Sequence, residues 1–113
     1  MKWKLTLIQY QAITDVLSAF VLSMHAIKYL PPTYQLYGEI LAQAKSSTQI
    51  AMIKLKAKNK KDGWFRLTQI EALTFWIVMS DAVENARQIE IESLEFNVST
   101  EICRDIHQKL LTQ

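Results

Sequence analysis

The chain is poor in the residues that interrupt regular structure. Its 113 residues include only two glycines and two prolines. That scarcity disfavours a many-turned β-sandwich or barrel and suits a few long helices with short connections. Gly38 and Gly63 lie too far apart in the chain to build a glycine-rich phosphate loop. The single cysteine, Cys103, rules out an intramolecular disulfide and gives no reason to expect an oxidising compartment. Long apolar runs are missing as well. The most apolar stretch, "VLSAFVLSMHAI" (16–27), sits between Asp15 and Lys28 and falls short of the ~18–20 residues of a membrane span. The opening "MKWKLTLIQYQAITD" meets Gln9, Gln11, Thr14 and Asp15 where a signal peptide needs its apolar region. These absences point to a soluble, cytoplasmic protein with no membrane partner.

What remains is an ordinary globular balance, with 50% apolar and 21% charged residues and a net charge of +2. A chain of this length is expected to form a single domain over 1–113. Its clearest internal signal is a repeated phrase. Leu5-Thr6-Leu7-Ile8-Gln9 returns as Leu67-Thr68-Gln69-Ile70-Glu71. Thr-x-x-Gln/Glu is the spacing of a capping box, in which the threonine hydroxyl and the later side chain each accept an orphan amide at a helix start. Helical periodicity follows both copies, through Ile13, Leu17, Phe20, Met24 and Ile27 in one and Ala72, Trp76, Met79, Val83 and Ala86 in the other. Sliding 3–21 over 65–83 gives six identities in nineteen positions, which makes an internal duplication with halves 1–58 and 63–113 a specific expectation.

Pro31-Pro32 is read as the end of the first helix. The second follows as a stripe of Tyr34, Tyr37, Leu41, Ala44, Thr48, Ala51 and Leu55. At its far end "IKLKAK" (53–58) alternates with period two, and "NKKDG" supplies a turn before "WFRLT". The spacing favours helix to about residue 58, because Ala, Met, Leu and Lys are good helix formers and an isolated hairpin is marginal in water. "NVST" (97–100) reads as a break and a new N-cap, with Ile102, Ile106 and Leu110 marking a short fourth helix. The expected fold is therefore all-α, a four-helix arrangement of two helical hairpins. Its alternative is α+β, with a small β-hairpin at about 52–67 and "EIES" (90–93) as a third strand.

No residues compose a catalytic, cofactor-binding or metal site, and the expectation is a protein that is not an enzyme and holds no cofactor. Cys103 and His107 are one helical turn apart, close enough to touch, but two further ligands of a zinc site are lacking. Asp81 and Glu84 share a helix face, yet Arg87 explains Glu84 as half of a solvated ion pair. Charge is more informative. Lys54, Lys56, Lys58, Lys60, Lys61 and Arg66 face only Asp62 in their stretch, whereas Asp81, Glu84, Glu90, Glu92, Glu95 and Glu101 face only Arg87 in theirs. Trp64 and Phe65 stand beside the basic run, and Trp3 stands between Lys2 and Lys4. Cations beside rings suit single-stranded nucleic acid, through Lys54, Lys56, Lys58, Lys60, Lys61, Trp64 and Arg66. "FWIVM" (75–79) must point all round its helix, which leaves Phe75, Val78 and, on the first helix, Leu22 surplus to a monomer core. The leading expectation is a non-enzymatic interaction module, self-associating as a two-fold dimer or binding another protein through those residues. The alternative is an accessory nucleic-acid-binding protein.

Overall fold

Two threonines set where the helices begin. In the computed structural model, which describes residues 1–27, 29–85 and 93–111, both capping boxes close. The Thr6 hydroxyl accepts the Gln9 amide at 3.2 Å while Gln9 Oε1 accepts the Thr6 amide at 3.0 Å. Thr68 and Glu71 repeat this at 3.2 and 2.8 Å. The order of elements is β1 (Lys2–Thr6), α1 (Leu7–Ala26), α2 (Pro32–Ala57), β2 (Asp62–Arg66), α3 (Gln69–Asn85) and α4 (Leu94–Ile106), with a π-helical turn at His107–Leu111. Among the described residues the fold is thus four helices and one two-stranded antiparallel sheet. Its helical character matches the expectation, but a purely helical build does not.

The sheet corrects both fold readings. It is no local hairpin at 52–67, since β2 pairs with the chain's first residues, in the register Lys2↔Arg66, Trp3↔Phe65, Lys4↔Trp64, Leu5↔Gly63 and Thr6↔Asp62. Residues 53–57 end α2 instead. There Asn59 adopts φ 54°, and the amides of Lys60 and Asn59 reach back to the carbonyls of Leu55 and Lys56 at 3.0 and 3.1 Å. This is a Schellman cap, with Asn in the left-handed position it tolerates better than most residues. "NKKDG" is therefore a helix stop and not a hairpin turn. Two strands are marginal in isolation, but these alternate exposed and buried residues and seat one face on the helices. Trp3 and Phe65 lie 5.8 Å apart in that face, and Tyr10 of α1 meets the Phe65 ring edge-on. Trp3 Nε1 donates to Asp105 Oδ2 at 2.9 Å, which ties β1 to α4.

Further boundaries move for local reasons. The prolines open α2 rather than close α1, which stops at Ala26; a first-turn proline lacks only an amide that would be orphaned anyway. "NVST" lies inside α4, whose cap is the Ser93 hydroxyl accepting the Phe96 amide at 3.1 Å. α1 spans 20 residues and is long and apolar enough to cross a membrane by length and composition, contrary to the reading from 16–27 alone. In this fold its Ile13 and Leu17 are fully buried, and it packs on α2 and α4. The "EIES" strand falls at 90–92 outside the described residues, as does Ala86.

One hydrophobic cluster joins every element, from Trp3 and Leu5 through Tyr10, Ile13, Leu17 and Leu41 to Phe65, Phe75, Ile102 and Ile106. Each such side chain contributes roughly 1.5–3 kcal/mol on leaving water. Buried Thr14 and Thr48 donate to carbonyls one turn back, Tyr10 and Ala44, at 2.7 and 2.6 Å, so neither hydroxyl is orphaned.

Candidate functional site

Alternation along the strands gives the sheet an outer face built from Lys2, Lys4 and Thr6 on β1 and Asp62, Trp64 and Arg66 on β2. The register sets Lys4 directly opposite Trp64 and Lys2 opposite Arg66. Trp64 is 45% exposed. The ammonium groups of Lys2 and Lys4 lie 4.7 and 5.2 Å from its ring centroid, contacts worth about 0.5–1 kcal/mol each at an exposed site. Lys4 also faces Asp62 at 3.4 Å, with both side chains about half exposed, so the pair contributes roughly 0–1 kcal/mol. A groove of about 290 Å³ runs beside Trp64, lined by Tyr10, Ser47, Thr48, Ala51 and Arg66. Tyr10 donates its hydroxyl to the Trp64 carbonyl at 3.1 Å, and burial pushes its pKa up while the Arg66 charge pulls it down.

Of the sequence-derived basic residues, Arg66 joins this face, and Trp64 is its centre. Lys54, Lys56 and Lys58 are exposed on the last turn and cap of α2, and Lys60 and Lys61 are exposed in the link to β2. The contact set expected from the sequence left out Lys2 and Lys4, which were noted only as the neighbours of Trp3. Their signal was the period-two alternation of "KWKLT", which sends Trp3 inward and both lysines outward. Trp3 and Phe65, taken as parts of aromatic-basic corners, are core residues.

The expected apolar surface is corrected more sharply. Leu22 is 72% exposed, but Phe75 and Val78 are 1% and 7% exposed and belong to the chain's own core. Phe75 lies 6.3 Å from the Phe20 ring of α1. The reason is that α3 packs on both α2 and α4, so the faces carrying these residues are covered from within. The outward line of α3 is instead Ile70, Leu73 and Ile77, one helical face at steps of three and four. Ile70 is 63% exposed, and Leu73 and Ile77 are half-buried.

Among the described residues, Cys103, His107 and Asp81 each have other surroundings than a reactive cluster. Burial pushes the Cys103 thiol up to about 12, which keeps it protonated at neutral pH and removes the thiolate a nucleophile needs. The His107 ring stacks 6.0 Å from Trp76. Asp81 accepts the Tyr34 hydroxyl at 2.8 Å, and that bond is the first cause raising the Tyr34 pKa. The side chains of Glu84, Arg87, Glu90 and Glu92 lie outside the described residues. Among those described, no group of three His, Cys, Asp or Glu residues could hold a metal ion. A second groove, of about 330 Å³ between β1 and α4, mixes Lys4 and Arg104 with Glu101 and Asp105. No protein family, curated protein or solved structure matches the chain.

Proposed function

We propose that the protein is a non-enzymatic interaction module that self-associates through the outer face of α3. The reading starts from a second proposal, that the chain is an internal duplication of a strand-helix-helix unit. Support for the duplication comes from the sheet register. The superposition of 3–21 on 65–83 equates Trp3 with Phe65, and Trp3 and Phe65 also face each other across the sheet. An approximate two-fold through that pair would exchange residues 2–4 with 64–66, α1 with α3 and α2 with α4. The helix contacts agree with it in part, since α1 packs on α4 as α3 packs on α2, whereas α1 packs far more extensively on α2 than α3 does on α4.

The duplication turns α1 into an internal control for α3, and this is the observation that carries the proposal. At the outward positions, α1 has exposed Ile8, the counterpart of Ile70, and then Gln11 and Asp15, joined by a 2.9 Å hydrogen bond at the surface. The counterparts of that bonded pair on α3 are Leu73 and Ile77. One unit thus treats the position as solvated surface, and the other lines it with aliphatic side chains next to exposed Ile70. Ile70, Leu73 and Ile77 are themselves uncharged, so a second copy laid antiparallel on them brings apolar side chains together about a two-fold. Exposed Ile70 and half-buried Leu73 and Ile77, from each of two subunits, gain on the order of 1 kcal/mol each, or about 6 kcal/mol in all, against an association cost of at least about 4 kcal/mol. Over six side chains the net gain is about 2 kcal/mol, so the dimer is very weak, with Kd on the order of 30 mM.

Light scattering and sedimentation across a concentration series test this. The wild type's average mass is expected to rise with concentration, by about 5% at 1 mM. The double variant Leu73→Gln/Ile77→Asp, which installs the α1 residues, is expected to stay monomeric with its helical dichroism intact. A wild type that remains monomeric throughout, or a variant that dimerises equally, overturns the proposal.

A further inference from the structure

We propose that the outer face of the sheet binds single-stranded nucleic acid, with Trp64 as the stacking platform and Lys2, Lys4 and Arg66 as phosphate contacts. The inference uses no residue of the α3 stripe and does not depend on self-association.

Placement carries the argument. A half-exposed tryptophan in the middle of a surface usually reduces to covering a core edge, but this core is closed beneath the sheet by Trp3, Leu5, Phe65 and Leu67. Trp64 lies on the opposite face from those residues, by strand alternation. Three cations surround it, two of them held against the ring from a strand far away in sequence. Beside it, the groove toward α2 offers the Arg66 guanidinium and the exposed Ser47 side chain over a floor that includes Tyr10 and Thr48. An aromatic face for a base, polar groups at its edge and cations for the flanking phosphates are the parts of a single-strand site.

The strand must be single because a duplex keeps its bases stacked and out of reach of a ring on a flat surface. Nucleic acid is favoured over an anionic membrane because the face carries one aromatic ring and no aliphatic cluster to insert among acyl chains. The ammonium contacts with Trp64 are exposed and singly weak, so an arriving base displaces them and frees Lys2 to meet phosphate, while Lys4 must exchange its exposed partner Asp62 for the phosphate.

Binding of labelled dT15 and rU15 to the full chain, followed by fluorescence anisotropy, tests the site. Two to three neutralised phosphates imply that affinity falls about 7- to 18-fold between 50 and 200 mM salt. Trp64→Ala is expected to weaken binding at least about fivefold at constant salt. Lys2→Gln/Lys4→Gln should flatten the salt dependence, and keeps the test alive if Trp64→Ala fails to fold. Comparison of dT15 with rU15 decides whether DNA or RNA is preferred, and binding of either supports the site. Three results overturn it: no binding at 50 mM salt, equal affinity for duplex DNA, or Trp64-independent retention on phosphatidylserine vesicles matching that on the oligonucleotides.

Discussion

Gly63→Ala probes the contact that lets β2, and with it Trp64, lie on the end of α2. Gly63 is buried opposite Leu5 in the sheet. A methyl group added there would fall 2.6 Å from both terminal carbons of Leu55 and 3.1 Å from its Cγ. Two effects oppose each other. Gly63 does not use a positive φ, so alanine stiffens the unfolded chain and stabilises by about 0.4–1 kcal/mol. The clash forces Leu55 out of its place, and overpacking of this kind costs about 1–3 kcal/mol. Overpacking wins, with a net loss of about 1 kcal/mol, or roughly 4 °C in Tm for a chain of this size. Leu55→Ala alone loses packing of a half-buried side chain, about 1–2 kcal/mol. In the double variant the new methyl occupies space that Leu55 has left, so the two losses should fall short of additive by about 1 kcal/mol. Urea denaturation of the wild type and the three variants measures the cycle. Strict additivity, or a stabilising Gly63→Ala, would refute the proposed approach of strand and helix.

Two further outcomes follow from buried groups. The Cys103 thiol has a pKa raised from 9.0 to about 12 by burial. Because the folded pKa lies above the unfolded one, its contribution is fully present below pH 9 and is lost as pH rises toward 12. Stability should decline by up to about 4 kcal/mol over that window, less so in Cys103→Ala, as read by denaturant titration at successive pH values. Ser99 is fully buried, and its hydroxyl lacks a hydrogen-bond partner among the described residues. Ser99→Ala should therefore raise stability by up to about 1 kcal/mol; a loss of more than that in thermal melts would mean the hydroxyl is satisfied.

The sequence by itself determined where α1 and α3 start and which face of α2 turns inward. Those features are local: a capping box closes over three residues, and a stripe from Leu41 to Thr48 requires only helical spacing. The boundaries it misplaced, at the prolines and at "NVST", were also local, but there two competing signals stood side by side. Ser93 capped α4 ahead of Ser99 and Thr100. What only the tertiary structure decided was the sheet, and with it both candidate surfaces. "KWKLT" carries its alternation in five residues, too few to name a partner. That partner, "DGWFR", becomes adjacent only after α1 and α2 have folded back on each other. The same non-locality governs α3. A helix apolar on all sides does not reveal in one dimension which sides its neighbours will cover, and packing on α2 and α4 buried Phe75 and Val78 and left Ile70 outside.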